Sequence, residues 1–309
     1  MRLITRADFD GLACGAILME LGVIDRWKFV HPKDLQDEKV DVTKDDVLAN
    51  VPYVEGCGMW FDHHSSELHR VGADVEVEGA RYAAPSAARI VYEYYGGVSR
   101  LPYLEEMVLA VDKVDSARLT VDEIINPKGW VLLGFIMDPR TGLGRHLNFS
   151  IGNWELMEEL MDACRDFEID ELLMLPNVAE RVEHYHKQTK EFQEMILQYS
   201  RIEGDVIITD LRGVSPIHTG NRFVLYSLFP DQNISIWLAD GPVSVIGMIS
   251  VGHSVVNRSS TVDVGKIMDK YGGGGHTQVG TCQVPYEDVD KVVDELIKHI
   301  HSHEHKSPE

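Results

Sequence analysis

The stretch "RLITRADFDGLACGAILMEL", residues 2–21, decides the fold. "RLIT" reads as a short apolar strand and "LACGAILMEL", from Leu12, as a helix. Between them lies a tight, glycine-flanked loop, "RADFDG", that crowds two anions, Asp8 and Asp10, one residue apart. Arg6 stands two residues upstream. A strand that runs through a loop into a helix is the unit from which parallel sheets are built.

The same alternation continues outward. "WKFVHP" and "GMWFDHH" read as buried strands that end in polar residues. "PSAARIVYEYYG" has Pro85 near its start and Gly96 and Gly97 at its end, the punctuation of a helix, and "LPYLEEMVLAVDKVDSA" follows as another. The first part is therefore expected to be α/β, with ligands beyond the carboxyl ends of its strands. The middle, "NWELMEELMDACRDFEIDELLML" and "PNVAERVEHYHKQTKEFQEMILQYS", carries apolar residues at helical spacing. From Gly204 the pattern changes. "DVIITDL", "ISIWLAD", "VSVIGMISVG" and "TQVGTCQV" read as strands, "VDVGKIMDKYGG" as a short helix, and "YEDVDKVVDELIKHIHSH" as an amphipathic closing helix. The expected organisation is a parallel-sheet domain over 1–175, a helical connector over 176–203 and a smaller α+β domain over 204–309. The active cleft is expected between the two domains.

The chain has 309 residues, 44% of them hydrophobic, and a net charge of −21. So acidic a surface repels long duplex nucleic acid but admits a short phosphate-bearing substrate at a local site. Cys14, Cys57, Cys164 and Cys282 are scattered without CxxC spacing, against a disulfide framework or a zinc knuckle. "MRLIT" runs straight into a polar loop, without the form of a signal peptide. No apolar run reaches the roughly 18 residues of a membrane span. A cytoplasmic protein with no membrane partner is expected.

Four stretches place acidic or histidine residues where strands or helices end: "RADFDG", "DDVLANVPY", "WFDHHSSE" and "AVDKVDSA". Taken singly, a DxD reads as a solvated turn and a DHH as a strand end with capping residues. Taken together, carboxylates and imidazoles from several elements suit Mn²⁺ or Mg²⁺ rather than a thiolate-bound structural zinc.

In this order the motifs resemble the DHH phosphoesterases with a DHH-associated C-terminal domain, over nearly the whole chain. The naming signature is Asp62-His63-His64, and the C-terminal one is "YGGGGHTQVG", residues 271–280. The resemblance implies metal-dependent hydrolysis of a phosphodiester or phosphoanhydride in a small substrate: a short oligonucleotide, a cyclic dinucleotide or polyphosphate, as in exopolyphosphatase-related members. A homodimer is compatible with it. It implies that Asp8 ligates a first metal, while Asp10, His63 and Asp115 ligate a second, with Asp112 as the alternative to Asp115. His64 then contacts the scissile phosphate and Asp62 orients the neighbouring histidine. Arg258, Gly272, Gly273, Gly274, Gly275 and His276 hold the substrate.

Two positions depart from the family pattern. Where it usually has a histidine just upstream of the DxD, this chain has Arg6, which cannot ligate a metal. Where it has an aspartate bridging both metals, the strand end carries Asn50; Asp45 or Asp46 is the match if the alignment slips. The expectation is that Arg6 pairs with Asp8 in place of the first metal. The cofactor is then a single Mn²⁺ or Mg²⁺ ion rather than a pair. The alternative is a non-catalytic phosphate-ligand-binding or sensor protein. Arg140, Arg145 and His146 are further candidates for phosphate contact, and Ser65, Ser66 and Glu67 for capping the helix after the DHH. "HIHSHEHK", with His299, His301, His303 and His305, reads as a frayed tail.

Overall fold

The structure, a computed structural model, describes residues 1–64, 67, 70–72, 75–145, 148–241, 243 and 245–304. Ser65, Ser66, His146 and His305 lie outside the described residues, as does the side chain of Arg145. The chain forms two compact units. One comprises Met1–Leu119 with Asn126–Tyr185, and the other Thr120–Ile125 with His186–Glu309.

The first unit is built on five parallel strands: β1 (Arg2–Arg6), β2 (Arg26–Val30), β3 (Asp46–Ala49), β4 (Met59–Asp62) and β5 (Glu78–Arg81). Their order is β2-β1-β3-β4-β5. Leu3, Ile4, Val47, Leu48, Trp60 and Phe61 are all buried, as strands covered on both faces require. One face carries a cluster of Ile4, Val30, Leu35, Leu48, Val51 and Trp60. The order reverses between β1 and β3, and the carboxyl ends of strands at such a switch point form a natural crevice.

The expected strands and helices are present, with differences that follow from local chemistry. The first helix spans Phe9–Glu20 and starts three residues before Leu12, because the Asp8 side chain caps it by accepting from the Gly11 N–H at 3.0 Å. Asp10 therefore sits in a helical turn rather than a loop. The "NWEL" run is two helices, Asn153–Asp166 and Ile169–Leu172, broken where Phe167 turns extended. The long helix Pro176–Tyr199 ends before 203, and Ser200–Glu203 is a strand (β6), a correction to the all-helical connector. The apolar helix Gly129–Met137 had no amphipathic signal because it is buried almost all round.

The second unit carries β6, β7 (Val206–Asp210), β8 (Ile234–Asp240), β9 (Ile246–His253), β10 (Gly274–His276) and β11 (Val279–Pro285). They form one mixed sheet, ordered β10-β11-β9-β8-β7-β6. Only the β7–β8 pair is parallel. The helices Val264–Asp269 and Val289–Glu304 contribute Val264, Met268, Val293 and Leu296 to a core shared with Ile208, Ile236, Leu238 and Ile249. Among the described residues no helix is long and apolar enough to cross a membrane.

Asp46 settles how the strand before the DHH aligns. It starts β3 and accepts from Arg2 Nε (2.6 Å) and from the Thr43 backbone N–H (2.7 Å), whereas Asn50 follows the strand's carboxyl end. Burial works against the Asp46 carboxylate, but Arg2 and Thr43 outweigh it and hold its pKa below the usual value. Asp46→Ala is expected to cost about 1–3 kcal/mol by urea denaturation. Affinity for a divalent cation should be unchanged, and a loss would return Asp46 to the site.

Candidate metal centre

β1, β3 and β4 deliver polar residues to one edge of the parallel sheet. Arg6 ends β1, Asn50 follows β3 and Asp62 ends β4. Gly11 lets the first helix start tight against β1, since a Cβ there would lie 2.1 Å from the Arg6 carbonyl oxygen.

Asp8 is held from three sides. Its Oδ1 accepts from the Gly11 N–H (3.0 Å) and from Asn50 Nδ2 (3.0 Å). Its Oδ2 is ion-paired with Arg6 Nε at 3.0 Å. Asn50 reaches Asp8 across the β1/β3 switch point from a left-handed backbone conformation, φ 55°, which asparagine tolerates better than most residues. Its own N–H donates to the Phe61 carbonyl. Three protein donors thus share the Asp8 carboxylate, two on Oδ1 and one on Oδ2.

Asp10 is buried and clasped by a helix N-terminus. Its Oδ2 accepts from the Ala87 N–H (2.9 Å) and its Oδ1 from the Ala88 N–H (2.7 Å), the first amides of helix Ala87–Tyr94. Burial, then the charge of Asp8, pushes the Asp10 carboxyl up to about 7, even against those two donors. Asp115, the last residue of helix Glu105–Asp115, is also pushed up, by desolvation and then by the charge of Asp10.

His63 completes the group. Its Nδ1 lies 3.2 Å from the Ala84 carbonyl oxygen, which can only accept, so Nδ1 carries the proton and Nε2 presents a lone pair. Nε2 is 3.4 Å from Asp115 Oδ2 and 3.7 Å from Asp10 Oδ2. It is buried and has no hydrogen-bond partner among the described residues. One donor atom from each of Asp10, His63 and Asp115 lies within 4.8 Å of the others. Two carboxylates facing an orphaned imidazole lone pair repel one another until a cation enters. The donor set fits a divalent metal ion of the Mn²⁺ or Mg²⁺ type.

His64 stands next to the group. Its Nδ1 meets Asp62 Oδ1 at 2.8 Å, and the same oxygen accepts from the His63 N–H at 3.0 Å. Burial disfavours the imidazolium, but the Asp62 hydrogen bond and the charges of Asp62, Asp115 and Asp10 prevail and raise its pKa.

Other sequence-derived candidates lie elsewhere. Asp112 is not part of the group: it accepts from Ser86 Oγ (2.7 Å) and pairs with Arg89 Nη2 (2.7 Å). Asp8 and Asn50 stand beside the three rather than among them. In the second unit, Arg258 is exposed and donates from Nε to the Val255 carbonyl. Gly272 turns out of the helix Val264–Asp269 at φ 71°, and Gly274–His276 then form the exposed edge strand β10. A Cβ at Gly273 or Gly275 would lie 2.2 Å from a β11 carbonyl oxygen, so close strand packing already requires both glycines. Gly274 has nothing within 4 Å of its Cβ position.

The supports of the site were missed in the sequence. Ala84, Ala87 and Ala88 act only through backbone atoms, which leave no residue signature. The one available signal was Ser86, a capping residue just before a helix and next to Pro85.

Neither a family model nor a curated protein matches the chain. Solved structures do. The chain is similar to PggH, a pGpG-specific phosphodiesterase from Vibrio cholerae, with 44% identity over 98% of this chain and 99% of that one, at a TM-score of 0.85. It shares its fold with an exopolyphosphatase-related protein from Bacteroides fragilis (12% identity, 96% of this chain and 91% of that one, TM-score 0.52). The same holds for RecJ from Thermus thermophilus in complex with Mn²⁺ (13%, 97% and 52%, TM-score 0.57). With its DHH residues seated beside a metal-type donor set, the chain belongs to the DHH phosphoesterases, a family of hydrolases.

Proposed function

We propose that this chain is a phosphodiesterase for a linear dinucleotide bearing a terminal phosphate, of the pGpG type, and that it works with a single divalent ion, Mn²⁺ or Mg²⁺. The observation that carries the reading is the orphaned His63 Nε2 facing Asp10 and Asp115. The similarity to PggH supports the substrate class. The three protein donors to Asp8, the Arg6 guanidinium among them, support one ion rather than two. Four free cysteines and the absence of a membrane-spanning helix among the described residues are in keeping with a cytoplasmic enzyme.

When bound at Asp10, His63 and Asp115, the ion supplies Lewis-acid polarisation and an acidified water. The chain supplies the rest. Arg6 holds a fixed positive charge beside Asp8, aimed at negative charge that develops on phosphate oxygens. His64, oriented by Asp62, contacts the phosphate. In the second unit, Arg258, the Gly273–Gly275 backbone and His276 are the candidates for phosphate contact.

Asp115→Ala is expected to lower metal-dependent release of mononucleotides by at least about 100-fold. Wild-type protein that is folded and metal-loaded yet inert on short oligonucleotides, cyclic dinucleotides and polyphosphate would instead favour a phosphate sensor. Metal analysis of dialysed protein is expected to find one Mn²⁺ per chain. The double variant Arg6→His, Asn50→Asp is expected to bind two, and two ions in the wild type would refute the single-ion assignment.

The pH dependence follows from Asp10. Its carboxyl holds a proton up to about 7 in the folded protein without metal, but only to about 4 in the unfolded chain. Between those values the folded state binds more protons, so this group's contribution to stability falls as pH rises. Bound cation competes with that proton. The rise in melting temperature on adding Mn²⁺ should therefore be larger at about pH 8 than at about pH 5.5. An equal rise at both would contradict the site.

A further inference from the structure

Arg140, one of the basic residues in "MDPRTGLGR", is brought to the centre by a route the sequence did not reveal. The helix Gly129–Met137 packs on both segments that carry metal-type donors. Trp130 stacks on Phe9 with ring centroids 6.4 Å apart, and Phe9 lies between Asp8 and Asp10. A Cβ at Gly134 would lie 2.9 Å from Phe9 and 3.0 Å from Val114, the residue before Asp115. The helix ends at Asp138, whose side chain is only 10% exposed.

Asp138 then fixes the guanidinium. It accepts from the Arg140 backbone N–H (2.8 Å), from Nε (2.7 Å to Oδ1) and from Nη2 (2.7 Å to Oδ2). Thr141 closes the turn by donating its N–H and its hydroxyl to the Asp138 carbonyl at 3.0 and 2.9 Å. The fork leaves Nη1 for a ligand, and the Arg140 side chain is 52% exposed. Burial opposes the charge on Arg140, but Asp138 and then Asp115 and Asp8 stabilise it, so the cation lies within the field of the metal centre. A planar fork held by one carboxylate is pre-organised for a phosphate oxygen on its other side.

We propose that Arg140 is a phosphate ligand of this centre, presented by Asp138 beside the Asp10–His63–Asp115 group, where Nη1 takes a non-bridging oxygen of the substrate. Asp138 is the positioning residue. The proposal rests on the metal centre described above, and its test separates the two.

The experiment is calorimetric binding of inorganic phosphate to the Mg²⁺-loaded protein, with Mg²⁺ affinity measured alongside. Arg140→Gln is expected to weaken phosphate binding about 10- to 100-fold while leaving Mg²⁺ affinity unchanged. Arg140→Lys keeps the charge without the fork and should fall between, and Asp138→Asn should weaken phosphate several-fold with Arg140 still present. A melting curve shows that each variant is folded, and Arg140→Lys carries the test should Arg140→Gln not fold. Phosphate affinity within about twofold of wild type in both Arg140 variants would overturn the proposal. Asp115→Ala probes the underlying reading separately: undiminished Mg²⁺ affinity there would overturn the metal centre, whatever Arg140 does.

Discussion

Three lone pairs pointed at one another form the constraint on which the first unit depends. Asp10, Asp115 and His63 Nε2 come from two helices and the segment after β4, and among the described residues His63 Nε2 has no hydrogen-bond partner. Such crowding persists only when the surroundings over-determine it. Here they do. Two helix amides hold Asp10, the Ala84 carbonyl fixes the His63 tautomer, and the end of β4 is pinned through Asp62. The raised carboxyl pKa of Asp10 registers the cost of this arrangement without metal. A divalent cation turns that cost into binding energy.

Beside this group the chain solves the same problem differently. Asp8 carries the same side chain as Asp10, yet its charge is met by Arg6, Asn50 and a helix amide. The two aspartates of one short motif thus face unlike surroundings, one paired with an arginine and the other facing the donor atoms of His63 and Asp115. In the proposed mechanism this difference divides the work: an ion held by Asp10, His63 and Asp115 would supply Lewis-acid chemistry, while the Arg6 guanidinium meets negative charge that develops on the phosphate. A guanidinium can meet developing negative charge but cannot acidify a bound water, because it has no vacant coordination position to accept the water's lone pair.

The arrangement also explains why the site can be rigid on short side chains. Its residues sit at strand ends and in first or last helical turns, which are among the better-fixed positions in an α/β unit. Buried contacts such as Phe9 with Trp130 and Gly134 with Val114 tie the helices that carry them to one another.

The strand–turn–helix pattern of residues 2–21, the buried strands before Asn50 and His63, and the change at Gly204 were legible in the sequence, because hydrophobic periodicity is a local property. So was the family, through Asp62-His63-His64 and the glycine run, and so was the pairing of Arg6 with Asp8, because the two are only two residues apart. What needed the tertiary structure was everything carried by backbone atoms or by distant chain. Asp115 was separated from Asp112 only by the direction each takes at the end of one helix, toward His63 or toward Ser86 and Arg89. The amides on Asp10, the carbonyl on His63 and the helix that delivers Arg140 leave no residue pattern to read. Side-chain chemistry is written in the sequence, whereas the lone pairs and charges that meet are decided by which strand and helix ends the fold sets side by side.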